Sequence, residues 1–171
     1  MKFLKLIPIL FIFFGNFSYK NLVHAEIKNP KDYKVLSNDS KKLSISNVEF
    51  YLKEGDKFIK KGDFDKAKDS YLDARKLAQQ LAIFYSDLNS SFKGIDARIP
   101  KEMQRKGKST LQILAKSNER LASLYLKTGE PEVAVPLLVE TIRIMSPESP
   151  EGREAYDKLI QLGFAETKYR G

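Results

Sequence analysis

An all-α fold of antiparallel helical hairpins, about five helices in total, follows from three features of the chain. Apolar residues recur at i, i+3/i+4 and i+7 over long stretches, and the alternation of a half-buried strand is almost absent. Glycines and prolines punctuate the chain between those stretches, at Gly62, from Gly94 to Pro100, at Gly129 and over 146–150. The 171 residues suit one domain of ordinary size once a targeting segment is set aside.

Residues 1–25 read as a secretory signal peptide. Lys2 and Lys5 give the positive start, residues 6–14 the apolar middle, and Val23-His24-Ala25 a small-x-small cleavage site before Glu26. The apolar run is shorter than the roughly 20 residues of a spanning helix. The alternative is an uncleaved membrane anchor through residues 3–17. Residues 26–46 are rich in Lys, Asn, Asp and Ser, contain Pro30 and lack apolar periodicity, which predicts a disordered polar linker. Tyr33, Val35, Leu36, Leu43 and Ile45 are its few residues able to dock on the helices.

The helical domain is predicted over 47–165. Its first helix spans 47–61, with Asn47 as N-cap and Glu49 beside the positive end of the helix dipole. Val48, Tyr51, Leu52, Gly55, Phe58 and Ile59 form its apolar stripe. Gly62 supplies the left-handed stop, and Asp63 caps the second helix, 63–92, which meets no Gly or Pro until Gly94. The third, 100–128, opens with Pro100 and a basic half, then carries Leu111, Leu114, Leu121 and Tyr125. Its Gly107 costs about 1 kcal/mol against Ala and marks a bend or a close contact. Gly129 and Pro131 lead into the fourth helix, 131–145, where Pro136 is expected to produce a kink. The fifth, 150–162, has Ser149 as cap and Pro150 as first residue, and Phe164 is placed to fold back on Leu159 past Gly163. Residues 166–171 form a polar tail.

Chemistry is excluded class by class. The chain has no cysteine, and its one histidine, His24, lies in the predicted signal. Thiol enzymes, Ser-His-Asp triads and His-ligated metal hydrolases therefore drop out, leaving no catalytic, cofactor-binding or metal residue to name. Gly107-Lys108-Ser109 lacks the upstream glycine of a phosphate-binding loop. Asp63, Asp65 and Asp69 do not fit a calcium loop and read as a capped helix start. The reading is non-enzymatic, with no cofactor.

The formal charge is +8, and a chain starting at Glu26 keeps 27 basic and 22 acidic residues. That excess favours an acidic protein partner or an anionic membrane surface. Its densest part is Lys93, Arg98, Lys101, Arg105, Lys106 and Lys108, opposed by Asp96 and Glu102. No stacking aromatics interleave with these cations, so nucleic acid is not an expected partner.

An internal repeat organises the domain. An offset of 67 residues, the step from Gly62 to Gly129, also aligns Gly55 with Ala122, Phe58 with Tyr125, Ala67 with Ala134 and Tyr71 with Leu138. In order these are small, large aromatic, turn glycine, Ala and large. The pattern resembles the tetratricopeptide (TPR) repeat, and the offset is close to two periods of about 34. The first copy covers about 48–80 and the second about 115–147, where Thr141 replaces the last Ala and Pro131 the turn aromatic. With no breaker over 76–91 or 108–127, neighbouring repeat helices are expected to have fused into two long ones.

The resemblance implies a protein or peptide bound in a concave face lined by the first helix of each repeat. Projected here, the partner-binding residues are Leu52, Asp56, Ile59, Lys60, Lys116, Glu119, Arg120, Ser123 and Lys127. Lys116 and Arg120 match the closing basic pair of family members that grip a terminal carboxylate. Leu52 and Asp56 do not match the opening pair, and Asp56 would repel a carboxylate. The expected function is an exported adaptor or scaffold factor for an envelope or membrane complex. The alternative is a membrane-surface protein held by an uncleaved N-terminus and the basic helix. The Lys/Asn/Ile-rich composition also resembles exported proteins of AT-rich bacteria, including marine cyanobacteria, which implies the periplasm or a thylakoid lumen.

Overall fold

The computed structural model describes residues 43–170. The expected signal peptide, and the linker as far as residue 42, lie outside the described residues. Within them the chain is all-helical, with five α-helices and no strand: α1 Ile45–Lys61, α2 Phe64–Ser91, α3 Arg98–Thr128, α4 Pro131–Met145 and α5 Pro150–Gln161.

The start of α1 corrects the predicted one. Ser44, extended in backbone, accepts the Asn47 N–H at 3.2 Å and is the cap. Asn47 thereby falls inside the helix on its inward face, buried rather than capping. The polar linker accordingly ends sooner than residue 46. The start of α3 moves in the same direction, to Arg98 instead of Pro100. Asp96 Oδ1 accepts the Arg98 N–H at 2.9 Å, and Pro100 sits in the first turn, where its missing N–H leaves no bond unmade.

The two repeat turns are built alike. Gly62 has φ 75° and Gly129 φ 80°, a conformation that a Cβ would strain. The Asp63 N–H bonds Phe58 O at 3.0 Å, and 67 residues later the Glu130 N–H bonds Tyr125 O at 2.8 Å. Asp63 caps α2 as expected, accepting the Lys66 N–H at 3.2 Å. The counterpart Glu130 makes no side-chain cap, and Pro131 opens α4 instead.

With no breaker to interrupt them, α2 and α3 run unbroken for 28 and 31 residues, about 42 and 46 Å. Helix α4 runs unbroken through Pro136, which faces solvent. Ser149 caps α5 by accepting the Gly152 N–H at 2.9 Å. Beyond Gly163 the chain folds back through its backbone, Phe164 N–H to Leu159 O at 2.9 Å. The Phe164 ring does not follow; it is 60% exposed.

Each helix packs on its neighbour in sequence, and α1 also touches α3. The core runs from Val48 and Leu52 through Ala67, Tyr71, Ala74 and Leu81 to Leu114, Leu121 and Ala122, then to Ala134, Leu138, Ala155 and Leu159. The small members let the backbones approach and the large ones fill what remains. Helices α1 and α4 have 17 and 15 residues, about half the length of the helices they cover. The last third of α2 and the first third of α3 consequently project as a two-helix arm, and there Ile83, Phe84 and Ile95 are exposed.

Candidate functional site: the α1/α3 face

Helices α1 and α3 touch, and one ion pair among the described residues joins them. Arg120 donates from Nε to Asp56 Oδ1 at 2.9 Å and from Nη2 to Oδ2 at 3.1 Å. The Tyr71 hydroxyl of α2 donates to the same Oδ1 at 2.7 Å. Partial burial pushes the Asp56 carboxyl up, but the Arg120 and Tyr71 hydrogen bonds and the charges of Arg120 and Lys60 outweigh it. The net effect holds Asp56 below the ordinary aspartate range. Burial, then the Asp56 carboxylate, raise the Tyr71 phenol well above its ordinary value.

Two open hollows flank this strut. One, of about 320 Å³, is bounded by Ile59, Tyr71, Glu119, Arg120, Ser123 and Lys127. The other, of about 220 Å³, is bounded by Glu49, Leu52, Lys53, Asp56, Lys116 and Arg120. Eight of the nine residues projected from the sequence border one hollow or both; Lys60 is exposed but borders neither. Two of the eight differ from the expectation in role. Leu52 is 5% exposed and belongs to the core. Arg120 is bound to Asp56, so it does not form a free basic pair with Lys116. Glu119 also has a cation near it, Lys158 of α5 at 3.9 Å.

A second polar cluster went unseen in the sequence. Arg75 of α2 donates to Asn118 Oδ1 at 2.8 Å and to Glu140 Oε2 at 2.6 Å. Asn118, fully buried on α3, donates in turn to Glu140 of α4 at 3.1 Å. Burial pushes the Glu140 carboxyl up, and bonds from Arg75, Asn118 and Gln79 with the Arg75 charge bring it below the usual glutamate range. The cluster fastens three helices. Its one sequence signal was Asn118 standing a helical turn from both Leu114 and Leu121, a polar residue on the apolar stripe.

The basic stretch divides in two. Arg98 is tied to Asp96 at 2.6 Å, and Lys106 to Glu102 at 2.6 Å with its ammonium 5.9 Å from the Tyr85 ring centroid. Lys93, Lys101, Arg105 and Lys108 are exposed and form no ion pair among the described residues. The acidic group at the start of α2 is likewise local: Asp63 caps the helix and binds Lys66, and Asp65 pairs with Lys68 at 3.6 Å. Among the described residues no helix is long and apolar enough to cross a membrane. No family model matches the chain, and neither a curated protein nor a solved structure matches it.

Proposed function

We propose that the protein is a non-enzymatic, TPR-like interaction module, exported from the cytoplasm, which holds a protein or peptide on its α1/α3 face as an adaptor or assembly factor. The observation that carries this reading is the pair of hollows on either side of the Asp56–Arg120 strut. They are bordered by residues from equivalent helices of the two repeat copies, and their rims offer Ile59 and Leu124 beside Lys116, Ser123 and Lys127. Such a mix of apolar floor and polar rim suits a short peptide laid across the helices better than it suits a reaction. The strut keeps the face pre-shaped, which lowers the ordering cost of binding.

The test is a pull-down from the native cell envelope with the full chain as bait, run beside Ser123→Trp and a reversal of Lys101 and Arg105 to Glu. The reading expects one specific partner, lost with Ser123→Trp, which fills the larger hollow, and kept with the arm reversal. If no captured partner is lost with Ser123→Trp, the α1/α3 site is contradicted.

A further inference from the structure

The projecting arm contains a groove that the proposed peptide site does not explain. Between α2 and α3, beyond the reach of α1, lies an open and largely apolar trough of about 560 Å³, walled by Ile83, Tyr85, Met103 and Leu111. Ile83 is 62% exposed on its rim.

Two details of the trough lack a reason inside the chain. Gly107 stands in its floor, in the middle of a 31-residue helix, where glycine is unfavourable by about 1 kcal/mol against Ala. Nothing in the fold demands it: a Cβ there would meet only Tyr85 Cβ, at an ordinary 3.8 Å. By contrast Gly55 is forced by the Tyr71 ring. The second detail is Asn89, which borders the trough and whose Oδ1 is buried with no hydrogen-bond partner. A buried acceptor left unpaired is unfavourable, and an incoming donor would satisfy it.

The rims decide what fits. On the α3 side Lys108 borders the trough, and Lys101 and Arg105 continue the same helical flank outside it, all three exposed and unpaired among the described residues; the α2 side offers Asp87. We propose that this trough docks an acidic amphipathic helix of a partner protein. Its apolar seam lies against Ile83 and Leu111, a small residue crosses close over Gly107, and its carboxylates face Lys108 and the flank of Lys101 and Arg105 beyond it. Gly107 admits close backbone approach, and the Asn89 amide, on turning toward the trough, offers its Oδ1 to a hydroxyl or amide proton of the helix. A second copy of the arm would set like basic rims together. Residues 1–42 carry eight lysines against three acids, the wrong sign as well. The trough lies on the arm, apart from the α1/α3 face, so either site can fail without the other.

The test uses the full chain and a labelled synthetic helix of about three heptads, with Leu and Ala along its seam, a central Ser and flanking Glu. A second peptide replaces every Glu with Lys. The expected result is binding of the acidic peptide alone, weakened as salt rises. Gly107→Leu, which fills the trough, reduces affinity about tenfold or more, and Lys108→Glu with Arg105→Glu does so comparably. Ile83→Glu alters only the exposed rim, so it gives the same loss without endangering the fold. Equal binding of both peptides, none of either, or unchanged binding by Gly107→Leu and Ile83→Glu overturns the proposal. So does a dimer of the full chain, or its binding to vesicles rich in anionic lipid, that Gly107→Leu abolishes, because the occupant is then another copy or a lipid surface.

Discussion

Tyr71 packs against Gly55 so closely that no side chain can be added at that position: a Cβ on residue 55 would overlap Cδ1, Cε1 and Cζ of the ring. This contact is why the small residue of α1 and the large residue of α2 occur together in the first repeat copy. Gly55→Ala is therefore expected to destabilise the protein by about 1–3 kcal/mol, although Ala is the better helix former. Gly107→Ala, whose Cβ would meet only Tyr85 Cβ at an ordinary 3.8 Å, should stabilise by about 0.5–1 kcal/mol. Urea unfolding of the two variants checks the opposite signs, and Tyr71→Leu in the Gly55→Ala background should recover part of the loss.

Acid should loosen the helix junctions in a defined window. Asp56 and Glu140 both have carboxyls held below their ordinary values in the folded state. The unfolded chain thus takes up protons first as pH falls, and stability declines with it. The contribution is complete above about pH 5 and is lost progressively below about pH 4. Arg120→Met removes the cation from Asp56 and should flatten this acid slope while lowering stability at neutral pH. Thermal melts from pH 7 to pH 3 measure both. A variant with an unchanged slope would show that the strut does not set the Asp56 titration.

Asn118 should behave as a fastener rather than a binding residue. Replacing it with Leu leaves Arg75 Nε and one face of Glu140 without their shared partner. The expected cost is about 2 kcal/mol. In a double-mutant cycle with Glu140→Gln the two losses should be less than additive, since both act on one cluster. Partner capture on the α1/α3 face should persist wherever the variant remains folded.

The helix count and the two long helices were legible because they depend on local signals: a 3.6-residue apolar period, and glycines at the positive-φ turns between long stripes, Gly62, Gly94 and Gly129. The helix starts were less legible. Ser44 and Asp96 each caught a free backbone N–H upstream of the more obvious Asn47 and Pro100, a choice among neighbouring polar residues that apolar periodicity does not see. For the candidate site, the repeat register placed residues such as Ile59, Ser123 and Lys127 on one face. What the register could not supply was pairing between distant charges. Asp56 and Arg120 lie 64 residues apart and Arg75 and Glu140 65, and only the packed helices bring them together. The arm groove was hidden for a related reason: Leu111 looks like an ordinary core position until α1 and α4 prove too short to cover it.

Site-directed photocrosslinking in the native cell tests the α1/α3 face most directly. A photoreactive phenylalanine at Ser123 or Lys116, which border the two hollows, is compared with one at Glu132, exposed at the start of α4. The account predicts one discrete adduct to the same protein from Ser123 and Lys116 and none from Glu132. An adduct from all three positions alike, or from Glu132 alone, would contradict it.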